Sequence, residues 1–235
     1  MPFNHRAELR IPLALPVLLT RRLWFPDPRT AQRGAAQDGL VAVGGDLSAP
    51  RLLLAYRSGM FPWTDDPATW WSPDPRAIFE LDCFHTSQSL ARVIRKGVFE
   101  ITTDRAFGQV MEGCARPAPG RESSWISPKF IEAYCRLHEL GHAHSVECWH
   151  NGKLVGGIYG VSIGGFFAGE SMFHRANDAS KVALFHLHRH LRERAFELFD
   201  IQLLTPITRQ LGAVAIPREE YLQRLAKAVE CRCAF

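Results

Sequence analysis

Apolar positions along this 235-residue chain switch between a two-residue and a 3.6-residue period, and each switch predicts an element. Residues 77–82 (AIFELD) and 98–103 (VFEITT) alternate as strands, and 86–95 predicts a helix that stops near Gly97. Asp104 stands where it would cap a helix carrying Phe107, Val110 and Met111. Ser127 and Pro128 open another helix, with Phe130, Ile131, Tyr134 and Leu137 on one face and Gly141 as its stop signal. Residues 144–149 (HSVECW) and 154–163 (LVGGIYGVSI) read as strands, and Gly164-Gly165 turns the chain back into 166–173 (FFAGESMF). Asp178 caps a helix over 179–195, 197–204 (ELFDIQLL) is a strand, and Pro217 starts a last helix through Val229. Strands follow one another rather than alternating strictly with helices, which predicts an α+β fold with a mostly antiparallel sheet.

The first part of the chain is patterned differently. Residues 1 to about 36 are rich in Arg and Pro with little periodicity, and are expected to wrap the surface or partly fray. Ser48 opens a helix, Pro50 sits in its first turn and Gly59 closes it, with Leu52, Leu53 and Tyr56 as an apolar stripe. Residues 60–76 hold Pro62, Pro67, Pro73 and Pro75 among Trp63, Trp70 and Trp71. Proline lacks the amide hydrogen that helix interiors and central strands need, so this segment reads as a stiff aromatic loop. It divides a small first domain (1–76, an extended arm plus the Trp/Pro-rich junction) from a larger second one (77–235).

Residues 154–184 are too glycine-rich for ordinary core and too apolar for a linker. Glu170 falls where the pattern predicts a packed residue. The stretch reads as a glycine-lined hairpin whose backbone approaches a ligand and which carries a pocket acid.

Composition narrows the class. The net charge is +4, and 23 of the 28 basic residues are Arg, the better partner for phosphate and carboxylate. The excess allows a polyanionic partner without requiring one. The six cysteines include no CxxC pair, which predicts reduced thiols and a cytoplasmic protein. The apolar run 11–19 is broken by Pro12 and Pro16, so neither a membrane span nor a signal sequence is expected.

Four constellations carry candidate chemistry. His138-Glu139-Leu140-Gly141-His142 matches HExxH, but Gly141 falls where the helix stops, so His142 should point away and no metal site is expected. His186 and His190 share a helix face, yet Arg189, Arg192 and Arg194 crowd the same helix and favour a basic surface over a cation site, one that Arg92, Arg95 and Lys96 would extend. Asp200 and Gln202, two apart on a strand, project from one face, with Phe199, Ile201 and Leu203 on the other. They are either plain sheet surface or an oriented dyad in which Asp fixes the Gln amide and Gln positions a reacting amine. Trp63, Trp70, Trp71 and Trp125 are either a core plug or a stacking platform for a base or sugar.

The blocks around these residues resemble one family, the bacterial leucyl/phenylalanyl-tRNA–protein transferases. They are GLVAVGGDLS from Gly39, YRSGMFPW from Tyr56, WWSPDPRAI from Trp70, FGQVMEGCA from Phe107 and AYCRLHELGHAHSVECW from Ala133. LVGGIYGV from Leu154, FAGESMF from Phe167, NDASKVAL from Asn177, DIQ at Asp200 and LGAVAIPR from Leu211 complete the series, in the family's order. The resemblance implies a small N-terminal α/β domain joined to a GNAT-like (acetyltransferase-fold) C-terminal domain. It also implies transfer of Leu, Phe or Met from the 3′ end of aminoacyl-tRNA to an N-terminal Arg or Lys, which marks the acceptor for N-degron proteolysis. Carried over residue by residue, Asp200 and Gln202 take the catalytic positions and Glu170 that of a substrate-binding pocket acid. Ile158, Phe167, Met172, Leu184 and Leu187 match the lining of an apolar aminoacyl pocket. Trp63 and Trp125 match aromatic positions near the terminal adenosine, and Tyr56 lies at the domain junction. A monomer without cofactor or metal is expected.

The chain departs from the family in three places. Ser123 and Ser124 precede Trp125 where Gly-Thr is usual, Ile207 and Gln210 replace a frequent His and Ser, and residues 1–20 and the tail CRCAF fall outside the resemblance. Two alternatives stand beside the transferase. A CoA-dependent N-acetyltransferase of the same fold would need an Arg/Gln-x-x-Gly-x-Gly/Ala turn between strand and helix, which is not found. A non-catalytic tRNA-binding relative is the other.

Overall fold

The computed structural model describes residues 16–32, 38–117 and 124–235. In chain order the elements are β1 (Val17–Leu19), β2 (Leu40–Gly44), α1 (Ala49–Arg57), β3 (Phe61–Asp65), β4 (Ala68–Trp71), β5 (Arg76–Phe79), α2 (Gln88–Lys96), β6 (Glu100–Thr103) and α3 (Phe107–Ala115). They continue with α4 (Pro128–Glu139), β7 (Ala143–His150), β8 (Lys153–Ile163), β9 (Phe166–His174), α5 (Ala179–Glu193), β10 (Leu198–Gln202), α6 (Pro206–Gln210), β11 (Val214–Ile216) and α7 (Arg218–Ala228). The class is α+β, as the pattern predicted.

Residues 60–76 are not a loop. β3 and β4 form a hairpin in a four-stranded sheet of order β1-β2-β4-β3. The prolines occupy positions where a strand tolerates them. Pro62 lies on the edge strand β3 beside a register shift, Pro67 is in the turn, and Pro73 and Pro75 follow β4. Trp70, on the inner strand, is fully buried and donates its indole N–H to the Gly44 carbonyl oxygen at 2.9 Å. The N-terminal arm contributes β1, parallel to β2, rather than only wrapping the surface.

The second sheet has seven strands in the order β11-β5-β10-β9-β8-β7-β6. Every neighbouring pair is antiparallel except β9 and β10. One apolar core gathers Tyr56, Trp70, Ile78, Val110, Tyr134, Tyr159 and Tyr221 from both sheets and the helices α1, α3, α4 and α7. A second core collects Phe79, Phe167, Phe199 and the apolar face of α5.

The glycines of β8 answer to these cores rather than to a ligand. A Cβ on Gly156 would sit 2.6 Å from the Ala179 Cβ at the start of α5. One on Gly160 would lie 2.2 Å from the Ala168 carbonyl oxygen of β9. The reading of a backbone bared for a ligand is therefore corrected: neighbouring strand and helix already fill that space.

Other local signals resolve similarly. Asp104 does not cap α3, whose N-cap is Ala106. At φ 58° it instead accepts the Ser145 N–H at 2.8 Å and pairs with His144 Nδ1 at 2.7 Å, fastening β6 to β7. α4 ends at Glu139 and Gly141 takes φ 76°, so His142 lies past the helix and the HExxH match is broken as expected. No helix among the described residues is long and apolar enough to cross a membrane.

Candidate active site

The parallel pair β9–β10 is where the large sheet opens. Register runs Leu198↔Phe166, Phe199↔Phe167 and Asp200↔Ala168, then stops, although β9 continues to His174 and β10 to Gln202. Past that point a cleft of about 270 Å³ is lined by Phe61, Pro62, Trp63, Trp125, Glu170, Ile201, Gln202, Leu203 and Thr205. Four of the predicted site residues, Trp63, Trp125, Glu170 and Gln202, therefore converge on one cleft. Tyr56 does not line it. It is buried and bonded to the Tyr134 hydroxyl, which in turn donates to Glu170 Oε2 at 3.5 Å.

Asp200 and Gln202 work together differently from the alternation argument. A register shift separates them, and Gln202 has φ 57°, a left-handed conformation uncommon outside glycine. The Asp200 side chain is fully buried, and its hydrogen bonds go elsewhere than to the Gln202 side-chain amide. Its Oδ1 accepts from Arg76 Nε at 2.8 Å and from the Gln202 backbone N–H at 2.9 Å. Its Oδ2 accepts from Arg76 Nη2 at 2.7 Å and from the Tyr221 hydroxyl at 3.1 Å. Asp200 thus fixes the Gln202 backbone, and Glu170 fixes its side chain: Gln202 Nε2 donates to Glu170 Oε1 at 3.2 Å. The amide oxygen of Gln202 makes neither of these bonds.

Arg76 was not singled out by the sequence pattern. It is fully buried, its guanidinium lies between the rings of Phe61 and Tyr221 (4.8 and 4.5 Å to the centroids), and it also donates to the Gly59 carbonyl oxygen. Burial works against its charge, but the Asp200 carboxylate more than offsets this and holds the guanidinium pKa above its ordinary value. A charged residue opening the otherwise apolar strand 76–79 was the available signal. Tyr134 and Tyr221 gave no comparable one, since each fits a helix's apolar face.

Glu170 is perturbed as well. Burial pushes its carboxyl up to about 8; hydrogen bonding from Tyr56 pulls it down, the Asp200 charge raises it, and Arg76 and Tyr134 lower it. The hydroxyls of Tyr56 and Tyr134 are driven well above their ordinary range by burial and by Glu170's charge.

The expected aminoacyl-pocket residues come together, but not on the cleft wall. Ile158, Phe167, Leu184 and Leu187 are buried in the core under α5, with Met172 at its margin. Ile201 links the two environments, lining the cleft and packing on that core. Ser124 donates to the Cys114 carbonyl oxygen and accepts from the Ile126 N–H, whereas Ser123 lies outside the described residues. Ile207, on α6, is 46% exposed.

Fold and cleft together define an α+β protein with a ligand-sized opening where two parallel strands of an otherwise antiparallel sheet part. The family model described as leucyl/phenylalanyl-tRNA protein transferase matches residues 78–226, and that of the family's N-terminal domain matches 45–74. The leucyl/phenylalanyl-tRNA–protein transferase of Syntrophobacter fumaroxidans is 52% identical over 214 residues, 90% of each chain. That of Anaeromyxobacter sp. is 50% identical, again over 90% of each, and that of Solidesulfovibrio magneticus 53% identical over 88% of this chain and 83% of its own. The chain belongs to the leucyl/phenylalanyl-tRNA–protein transferase family. Among solved structures, L-PGS from Bacillus licheniformis aligns over 83% of this chain and 72% of that one, at 13% identity and a TM-score of 0.43.

Proposed function

We propose that this chain moves Leu, Phe or Met from aminoacyl-tRNA onto the N-terminal Arg or Lys of an acceptor protein, in the cleft between β9 and β10. Family membership supports the reaction. The single observation that supports its location is the Gln202 amide, held from its backbone by Asp200 and from its side chain by Glu170, at the mouth of the opened strands.

The chemistry asks for little more. An aminoacyl ester is already activated, so the reaction itself demands neither ATP nor a metal. The attacking α-amine has a pKa of ~7.8, so freeing its lone pair at neutral pH costs about 1 kcal/mol. Orientation matters more, because effective molarity contributes roughly 7–11 kcal/mol. A neutral amide cannot act as a strong base, but a fixed amide oxygen can hold an amine's N–H in line with the ester carbonyl. Asp200 and Gln202 are thus a positioning pair built through the backbone. Ile201, Met172 and the core behind them would take the aminoacyl side chain, where a flexible Met tolerates several shapes.

The same reading includes a division into 1–76 and 77–235, the second part GNAT-like. The parting of two parallel strands in a mostly antiparallel sheet supports it. The enzyme works as a cytoplasmic monomer. Trp63 and Trp125 would stack on the terminal adenosine of the tRNA. Each Trp→Ala change should then raise KM for aminoacyl-tRNA roughly 10–100-fold with kcat little altered, because a base–aromatic stack contributes about 1–3 kcal/mol. Steady-state kinetics checks this; a fall in kcat alone would contradict it.

The function is tested with labelled Leu-tRNA and a peptide beginning with Arg. Label should appear on the free peptide and not on its N-acetylated form. Firm tRNA binding with no transfer to any acceptor would identify a non-catalytic relative instead.

A further inference from the structure

Resting on that function, we propose that Glu170 is a catalytic residue, the group that takes the proton from the acceptor's α-ammonium and returns one to the departing 3′-oxygen of the tRNA. The site poses a problem that Asp200 and Gln202 do not solve. The acceptor arrives largely as an ammonium, which has no lone pair to attack with. Gln202 is an amide and accepts no proton at neutral pH. Both oxygens of Asp200 are occupied by two donors each, and its side chain is fully buried behind the Gln202 backbone. Among the described residues lining the cleft, Glu170 is the single one with an ionisable side chain. It also touches the positioning amide directly, at 3.2 Å, so a group aligned by Gln202 lies within reach of its carboxylate.

The surroundings suit a shuttle. Glu170 is faced by Tyr134 from α4, Tyr56 from α1, Tyr159 from β8, Asp200 from β10, Arg76 from β5 and Tyr221 from α7. Tyr56 and Tyr134 stabilise the carboxylate as donors, Tyr221 donates to Asp200 instead, and burial favours the neutral acid. The result, about 8, lies beside the ~7.8 of an α-amine, so a proton crosses between them at almost no cost.

The steps balance without another reactant. The Glu170 carboxylate accepts one ammonium proton, and the freed lone pair forms the C–N bond at the ester carbonyl. As the C–O3′ bond breaks, the Glu170 acid gives its proton to the leaving oxygen and takes the second proton from the new amide nitrogen. It then loses that proton to water.

One proton shared between Glu170 and the amine makes the singly protonated site the reactive one. Wild-type kcat should therefore follow a bell centred near pH 8. Glu170→Gln keeps the shape and a bond to Gln202 but carries no exchangeable acid. Its kcat should fall about 100-fold or more, with only the rising limb left and KM for aminoacyl-tRNA nearly unchanged. Tyr134→Phe removes a donor to the carboxylate, so it should move the bell to higher pH while the protein stays folded by circular dichroism. Glu170→Gln with wild-type kcat, or with a raised KM and an unaltered bell, would overturn the proposal. If the wild type itself transfers nothing, the function fails rather than this inference.

Discussion

Arg76→Met should melt roughly 6–20 °C below the wild type, and Arg76→Met/Asp200→Leu should melt above either single variant while remaining inactive. The pair is fully buried and bidentate. Removing one partner leaves an uncompensated buried charge, which costs about 3–5 kcal/mol, whereas replacing both with apolar groups of similar volume is far less costly. For a chain of this length each kcal/mol shifts Tm by about 2–4 °C. Activity should not follow stability. In the double variant the Gln202 N–H loses its acceptor, and with it the bond that fixes the backbone at φ 57°. Thermal melts on the three variants with parallel transfer assays check this. Additive losses in Tm would show that the two side chains are not coupled, and restored transfer would show that Asp200 only neutralises Arg76.

Gln202→Gly is the second large effect. Glycine adopts the left-handed backbone at no steric cost, so folding should be close to wild type. The amide is lost, and with it the partner of Glu170 at 3.2 Å. Misplacing reacting groups by about 1 Å is enough for a 100-fold loss, so kcat should fall about 100-fold or more with tRNA affinity nearly intact. Stopped-flow transfer and a tRNA binding titration separate the two quantities. A lost affinity with unchanged kcat would make Gln202 a binding residue only.

Much of the fold was legible because its signals are local. Ser127-Pro128 and Gly141 bound α4, and Gly164-Gly165 turns β8 into β9 within a few residues of where the pattern places them. The hairpin β3–β4 was not legible, because proline excludes a central strand but not an edge strand or a turn, and sequence does not show which strand is the edge. The candidate site divides in the same way. Asp200, Gln202, Glu170, Trp63 and Trp125 stand out in the residue pattern and take their roles from the resemblance, and the last four line the cleft. Arg76 lies 124 residues from the aspartate it clamps, a pairing no local pattern encodes. The bulge that turns Gln202 away from simple alternation was equally hidden, as was the filling of the β8 glycines by Ala179 and Ala168.

Aminoacyl transfer at Gln202, in the opening between β9 and β10, is the claim on which the rest depends. The direct measurement is single-turnover transfer from prebound labelled Leu-tRNA to a peptide beginning with Arg, by wild type and Gln202→Gly side by side. The wild type should label the peptide rapidly, and the variant should do so at a rate about 100-fold or more lower at equal tRNA occupancy. Equal rates in the two proteins would contradict it.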